Sequence, residues 1–164
     1  MSITYRLELL VTEKGKPFYP SVGTVEKLSD DNAGYDLKVV QDYIPLNKAS
    51  LLHLGVKGRM LKLTYNNDDV CLEEDSHYTL EARSSIYKTG YMMANSRGII
   101  DKTYRGELMA PIVSVGSEQS CLEKGVRLFQ IIAPALGHIA EVVYVDSLPA
   151  SVRGEGGFGS TGTK

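Results

Sequence analysis

The sequence predicts an all-β protein, a jelly-roll-like antiparallel β-barrel, and three features carry that prediction. Short apolar runs rich in Val, Ile, Leu and Tyr recur at near-regular spacing, each closed by Gly, Pro or a polar cluster. The clearest run, Ile3, Tyr5, Leu7, Leu9 and Val11, alternates with Thr4, Arg6 and Glu8, which is the period of two of a half-buried strand. Only Ser84 to Met93 has enough consecutive residues without strict alternation for a short helix, and Gly90 limits even that.

Taken in order, the first strand ends at Gly15 and Pro17. Lys27 to Asn32 is a polar loop leading into Ala33-Gly34-Tyr35-Asp36-Leu37, and Val39 and Val40 continue as a strand. A glycine beside an inward aromatic and an acid marks a bulge or a close backbone approach. Leu51 to Val56, Leu61 to Tyr65 and Tyr78 to Ala82 read as further short strands, separated by Gly55, Gly58 and the run Asn66-Asn67-Asp68-Asp69. Glu73-Glu74-Asp75 reads as a solvated loop. Asn95 to Glu107 reads as a hairpin with a charged tip at Asp101 and Lys102, followed by strands over Leu108 to Val115, Val126 to Ala133 and Ile139 to Val145. No repeat of solenoid period is present.

Length and composition set the bounds. A chain of 164 residues, 43% hydrophobic and 23% charged, is one globular domain, long enough to bury about two-thirds of its unfolded surface. The expected division is a catalytic barrel over residues 1–152 and a flexible arm over 153–164. A net charge of −2 argues against a general nucleic-acid or membrane-surface binder, which would carry a basic excess. Cys71 and Cys121 lie far apart and match no metal-ligand spacing. They read as reduced thiols of a cytoplasmic or nuclear protein. His53, His77 and His138 are equally scattered and propose no zinc site. Met1 to Leu10 lacks the pattern of a signal peptide, and no apolar stretch approaches the ~20 residues of a membrane helix.

The chain's end changes character. Arg153 to Lys164 reads R-G-E-G-G-F-G-S-T-G-T-K, which by composition is a flexible tail. A linker has no need of Phe158, however, and Ser160-Thr161 between glycines offers hydroxyl and N–H donors suited to a phosphate. Thr163 stands where a Walker-type loop requires Lys, so this is not that motif.

Five ordered motifs together resemble the trimeric dUTP pyrophosphatase (dUTPase) family. They are A-G-Y-D-L at Ala33 to Leu37, A-R-S-S at Ala82 to Ser85, N-S-R-G-I-I-D-K-T-Y-R-G-E at Asn95 to Glu107, G-V-R-L-F-Q-I at Gly125 to Ile131, and R-G-E-G-G-F-G-S-T-G at Arg153 to Gly162. The third and fifth are the most specific. The resemblance implies hydrolysis of dUTP to dUMP and pyrophosphate, which limits uracil incorporation into DNA and supplies dUMP for dTMP synthesis. It also implies a Mg²⁺ cofactor and a homotrimer with active sites at subunit interfaces.

The same resemblance implies roles for individual residues. Asn95, with main-chain groups near Gly98 and Ile100, would read the uracil edge in a turn too tight for a 5-methyl group. Tyr104 would pack under the deoxyribose, and Asp101 would hold the water that attacks the α-phosphate. Arg83, Ser84, Ser85 and Gln130 would contact phosphates, and Asp36 would position the magnesium ion through water. Phe158 would stack over uracil, with Arg153, Gly159, Ser160 and Thr161 closing on the outer phosphates.

Elementary chemistry is consistent with that division of labour. Stacking on an aromatic is worth roughly 1 to 3 kcal/mol and is indifferent to the base, so Phe158 can supply affinity but not uracil choice. Selectivity has to come from polar groups left unpaired by the wrong base. An aspartate, with a reference pKa of about 3.9, is too weak a base to generate free hydroxide. Its useful work is to orient water and accept its proton as the new bond forms. Three departures from the family pattern stand out: Ala82 where Pro is usual, Val126 in place of an acid, and Phe129 in place of a small residue. Leu46 to Glu81 fits poorly and carries an unplaced acidic insertion. Arg105 is expected to be structural.

Overall fold

A computed structural model describes residues 1–43, 48–116 and 121–157. Eleven strands dominate it: β1 (Ser2–Val11), β2 (Val25–Lys27), β3 (Gly34–Lys38), β4 (Ser50–Asn66), β5 (Asp69–Ser76), β6 (Tyr78–Ala82), β7 (Tyr91–Met93), β8 (Gly98–Ile100), β9 (Glu107–Ser114), β10 (Arg127–Ile132) and β11 (Ile139–Val145). One sheet runs β2-β11-β1-β4-β9-β7, with β5 also paired to β4, and the other runs β3-β10-β6-β8. Pairing is antiparallel except between β1 and β11. One core cluster takes Leu7, Leu9, Leu54, Ile112 and Val142 from the first sheet and Leu37, Leu80, Phe129 and Ile131 from the second. Phe129, the oversized residue of its motif, is fully buried there, so the core has absorbed its bulk.

Five expectations need correction. Leu51 to Val56 and Leu61 to Tyr65 are not two strands but parts of the seventeen-residue β4. The glycines bend it rather than end it. Five residues of β4, His53 to Lys57, run against only three of β9, Met109 to Glu107, and Gly55 takes φ +72°. A Cβ at Gly55 would lie 2.5 Å from a Val40 methyl, and one at Gly15 would lie 2.2 Å from the Gly55 oxygen. Chain approach this close admits only glycine.

The acids Glu73, Glu74 and Asp75 belong to strand β5, not a loop. Cross-strand partners override their low strand propensity: Arg6 pairs with Glu73, and Arg59 bridges Asp75 at 2.6 Å and Glu8 at 3.3 Å. Ser84 to Met93 is a 3₁₀ turn over Ser84–Thr89, a left-handed Gly90 at φ 74°, and then β7. Val39 and Val40 lie beyond β3 and are buried, with Val39 donating its N–H to the Val126 carbonyl at 3.0 Å and accepting from Gly125 at 2.7 Å.

The fifth correction concerns the hairpin at Asn95 to Glu107. β8 pairs with β6 in the four-stranded sheet, while β9 pairs with β4 and β7 in the other. The segment from Asp101 to Gly106 therefore crosses between sheets instead of turning back on itself. Local turn chemistry is the same in both cases, so only the long-range partners distinguish them.

A charged row crosses the outer face of the larger sheet. Glu141 of β11 accepts from Lys27 and Arg6, and these two hydrogen bonds hold its carboxyl below the ordinary 4.5. Its side chain is only 14% exposed. A depressed folded-state value stabilises above the unfolded one and is lost as pH falls through the folded value. Glu141→Gln should therefore lower Tm near pH 7 by about 2 to 4 °C, as expected for ~1 kcal/mol in a chain of this size. The difference from the parent should shrink as the pH drops well below 4.5, which thermal melts across an acid series will read.

Candidate active site

The crossover after β8 forms one wall of a cavity of about 160 Å³, lined by Asn95, Gly98, Ile100, Asp101, Tyr104 and Arg153. Leu80 and Leu108 give it an apolar floor. Gly98 is level with Leu80 across the β6–β8 ladder, and a Cβ there would press to 3.3 Å against the Leu80 carbonyl and 3.7 Å from the Asn95 amide. The missing side chain leaves the Asn95 amide and the β8 backbone open to the cavity.

Tyr104 is the buried centre of this region. Its hydroxyl donates to the Glu107 carbonyl at 2.8 Å and its N–H to the Asp101 carbonyl at 2.9 Å. Burial raises its phenol above the usual value. Two motif glycines make room for the ring: a Cβ at Gly106 would lie 2.5 Å from the Tyr104 oxygen, and one at Gly157 would lie 2.9 Å from the ring edge. Arg153 lies with its guanidinium carbon 5.9 Å from the ring centre.

Residues 151–157 are packed along the chain's own crossover. Arg105 donates its N–H to Gly154 at 2.7 Å, and Ser151 donates to the Thr103 carbonyl. Lys57 pairs with Glu155, and Arg153 pairs with the Asp101 Oδ2. The first five residues of the expected flexible arm are thus ordered against Tyr104. Phe158, Gly159, Ser160 and Thr161 lie outside the described residues. Arg105 behaves as expected of a structural residue, donating to the Pro149 and Lys102 carbonyls at 2.9 and 2.8 Å and lying 3.8 Å from Asp75.

A second, open cleft of about 650 Å³ gathers Asp36, Arg83, Ser84, Arg127 and Gln130. Asp36 lies opposite Gln130 in the β3–β10 ladder and receives Arg83 at 2.9 Å and Arg127 at 3.4 Å. Arg83 also donates to the Arg127 carbonyl at 2.8 Å. Arg127 therefore has a partner even though Val126 stands where the family has an acid. Gln130 occupies the space a side chain at Gly34 would fill, with its amide oxygen 2.3 Å from a Cβ built there. Ser85, half-buried, sits in the 3₁₀ turn beside Ser84.

The expected site residues thus fall into two groups that do not meet. Asp36 and Asp101 belong to or follow β3 and β8, the opposite edges of the four-stranded sheet. Ile100 is level with Tyr78, and Arg83 stands five residues on, just past the end of β6, roughly 16 Å away at strand rise. Two residues that the sequence did not single out also belong to the first cavity's surroundings. Glu107 accepts the Gly55 N–H at 3.2 Å and contacts His53 at 2.8 Å, closing the bend in β4. His77, between β5 and β6, puts Nδ1 3.7 Å from the Asp101 Oδ1 and accepts the Lys102 N–H at 3.0 Å. No sequence signal marked His77, because its partners lie some 25 residues away.

Among the described residues no group of three or more His, Cys, Asp or Glu could hold a metal ion, and no helix is long and apolar enough to cross a membrane. Cys71 and Cys121 are both free and exposed.

The architecture defines the class first: it is an all-β protein with the fold seen in the crystal structure of dUTPase from Streptococcus mutans. That likeness has a TM-score of 0.54 at 21% identity and covers 87% of this chain and 99% of that one. The chain belongs to the dUTPase family, whose model matches residues 23–162. It is 34% identical over 138 residues to the deoxyuridine 5'-triphosphate nucleotidohydrolase of Escherichia phage T5, covering 83% of this chain and 89% of that protein. It is 33% identical over 149 residues to the protein of the same name from Wolinella succinogenes, covering 89% and 85%.

Loss of the Tyr104 hydroxyl tests how the first cavity is held. Tyr104→Phe leaves the Glu107 carbonyl without its donor, and we expect a cost of about 1 kcal/mol, read as a Tm lowered by about 2 to 4 °C.

Proposed function

We propose that this chain hydrolyses dUTP to dUMP and pyrophosphate, limiting uracil incorporation into DNA and supplying dUMP for dTMP synthesis. The observation that carries the reading is the single cavity in which Asn95, the β8 backbone, Asp101 and Tyr104 converge on a family motif. In this reading Asn95 and the backbone at Gly98 and Ile100 hydrogen-bond the uracil edge. A base with the wrong donor pattern leaves those groups unpaired and is rejected. Tyr104 supports the deoxyribose and leaves no room for a 2'-hydroxyl.

Asp101 orients a water in line with the α-phosphorus. The water oxygen bonds to that phosphorus, its proton passes to the Asp101 carboxylate, and the bond to the bridging oxygen breaks to release pyrophosphate. Arg83, Ser84, Ser85 and Gln130 hold the phosphates. Mg²⁺ suits this donor set, since it is commonly held by one or two carboxylates together with substrate phosphates, and Asp36 would take it through water. When bound it would offset phosphate charge. Phe158 stacks on the base, while Arg153, Gly159, Ser160 and Thr161 close over the outer phosphates.

The separation of the two clefts favours a homotrimer. A triphosphate spans a few ångströms between its α- and γ-phosphorus atoms, far less than the roughly 16 Å between the Asp101 and Arg83 segments of one chain. A complete site therefore needs the Asp101 cavity of one subunit beside the Asp36–Arg83 cleft of another, as closed threefold symmetry can provide. The arm of residues 153–164 completes the site.

A pyrophosphate-release assay comparing dUTP, dTTP, dCTP and UTP tests the function, with turnover of dUTP alone as the expected result. Ammonia release from dCTP without dUTP turnover would point instead to a deaminase and overturn it. Asp101→Asn should lower kcat by about 10²- to 10⁴-fold, the usual worth of a positioned base, and leave dUTP affinity largely intact. A chain ending at Val152 should fold and assemble yet lose most turnover. Unfolding of that truncation would make the arm structural.

A further inference from the structure

We infer that His77 is a positioning residue for Asp101, and that its protonation state decides whether the Asp101 Oδ1 is open to the attacking water. The inference rests on the hydrolytic role proposed for Asp101. It begins with how the two carboxylate oxygens are divided. Oδ2 is taken by Arg153, while Oδ1 faces the His77 Nδ1 at 3.7 Å, beyond hydrogen-bonding distance. That Nδ1 is already occupied, because it accepts the Lys102 N–H at 3.0 Å. An acceptor at Nδ1 requires the neutral ring with its proton on Nε2. In that state His77 fixes the residue after Asp101 from one side, while Arg105 holds the Lys102 carbonyl at 2.8 Å from the other. The tip is clamped through both of its backbone groups, and Oδ1 stays free.

A protonated ring reverses both effects. Nδ1 becomes a donor, so the Lys102 N–H loses its acceptor and the nearest carboxylate oxygen is Oδ1. A charge-assisted bond to that oxygen draws the ring toward Asp101 and competes with water for the same lone pairs. Imidazole is the one side chain that ordinarily changes charge between about pH 5 and 8. The His77 side chain is 60% exposed, which leaves it open to proton exchange with solvent. The charged groups beside it are Asp101 and Lys102 on the crossover, and Glu81 and Arg97, which pair with each other and share a surface depression with His77. The acidic β5 strand, which ends at Ser76, thus sets His77 beside the Asp101 tip.

The test is the pH profile of kcat for dUTP in the full chain and in His77→Ala and His77→Asn, alongside the Lys102 amide resonance followed by NMR through the same pH range. In the parent, kcat should fall on the acid side through the imidazole range, and the Lys102 amide should shift with it. His77→Ala should lower kcat roughly tenfold with KM unchanged, as expected for a misplaced reacting group, and lose that acid limb. His77→Asn supplies an oxygen acceptor that does not titrate, and should recover part of kcat while keeping the limb absent. A parental acid limb in either variant, or a Lys102 amide insensitive to pH across the imidazole range, would overturn the inference. A parent that turns over no dUTP would sink the proposed hydrolysis instead, while the amide titration still decides whether His77 and the tip are coupled.

Discussion

The Glu107 carboxylate, seated in the bend of β4, is the contact on which most of this structure turns. β4 pairs with β9 through its first half and with β1 and β5 through its second, so its bend sets the relation between these ladders. The bend leaves the Gly55 N–H without a strand partner, and Glu107 accepts it at 3.2 Å. The backbone carbonyl of the same residue receives the Tyr104 hydroxyl. One residue therefore ties the longest strand of the larger sheet to the ring at the centre of the cavity, and a buried N–H that would be costly to leave unpaired becomes a fixed point for the site.

Legibility in the sequence followed the range of the interactions. Period-two alternation revealed β1, and the runs that became β9, β10 and β11 stood out because their apolar patterning is local. The β4 bend was read as a break, since Gly55 and Gly58 look like strand ends until Gly15 and Val40 are known to press against the chain there. β5 was hidden because three consecutive acids look solvated, and only Arg6 and Arg59 on neighbouring strands reveal why they pair. The crossover was taken for a hairpin because a charged tip between apolar residues has the same local chemistry in both arrangements.

The candidate site was legible as a list of residue types and illegible as an arrangement. The family resemblance named Asn95, Asp101, Tyr104, Asp36 and Arg83, but nothing in it indicated that Asp36 and Asp101 sit at opposite edges of one sheet. His77 carries no signature at all, being a lone histidine whose partners are remote in sequence. The motif glycines are better understood in the fold than in the pattern: Gly106 and Gly157 are small because Tyr104 fills the space beside them, and Gly34 because Gln130 does.

The contact between Tyr104 and Gly157 also bears on the arm's freedom of movement. A ring against glycine backbone offers a smooth bearing, with no side chain interlocked in a neighbour's groove, and each atom pair contributes only about 0.1 to 0.2 kcal/mol. The adjoining Arg153–Asp101 pair is partly open to solvent, with side chains 28% and 43% exposed, and pairs of that kind contribute little. Segment 153–157 is held by contacts that can be broken and remade without disturbing the core beneath. It is seated on Tyr104 by backbone hydrogen bonds and partly exposed ion pairs rather than by side chains sunk into the core.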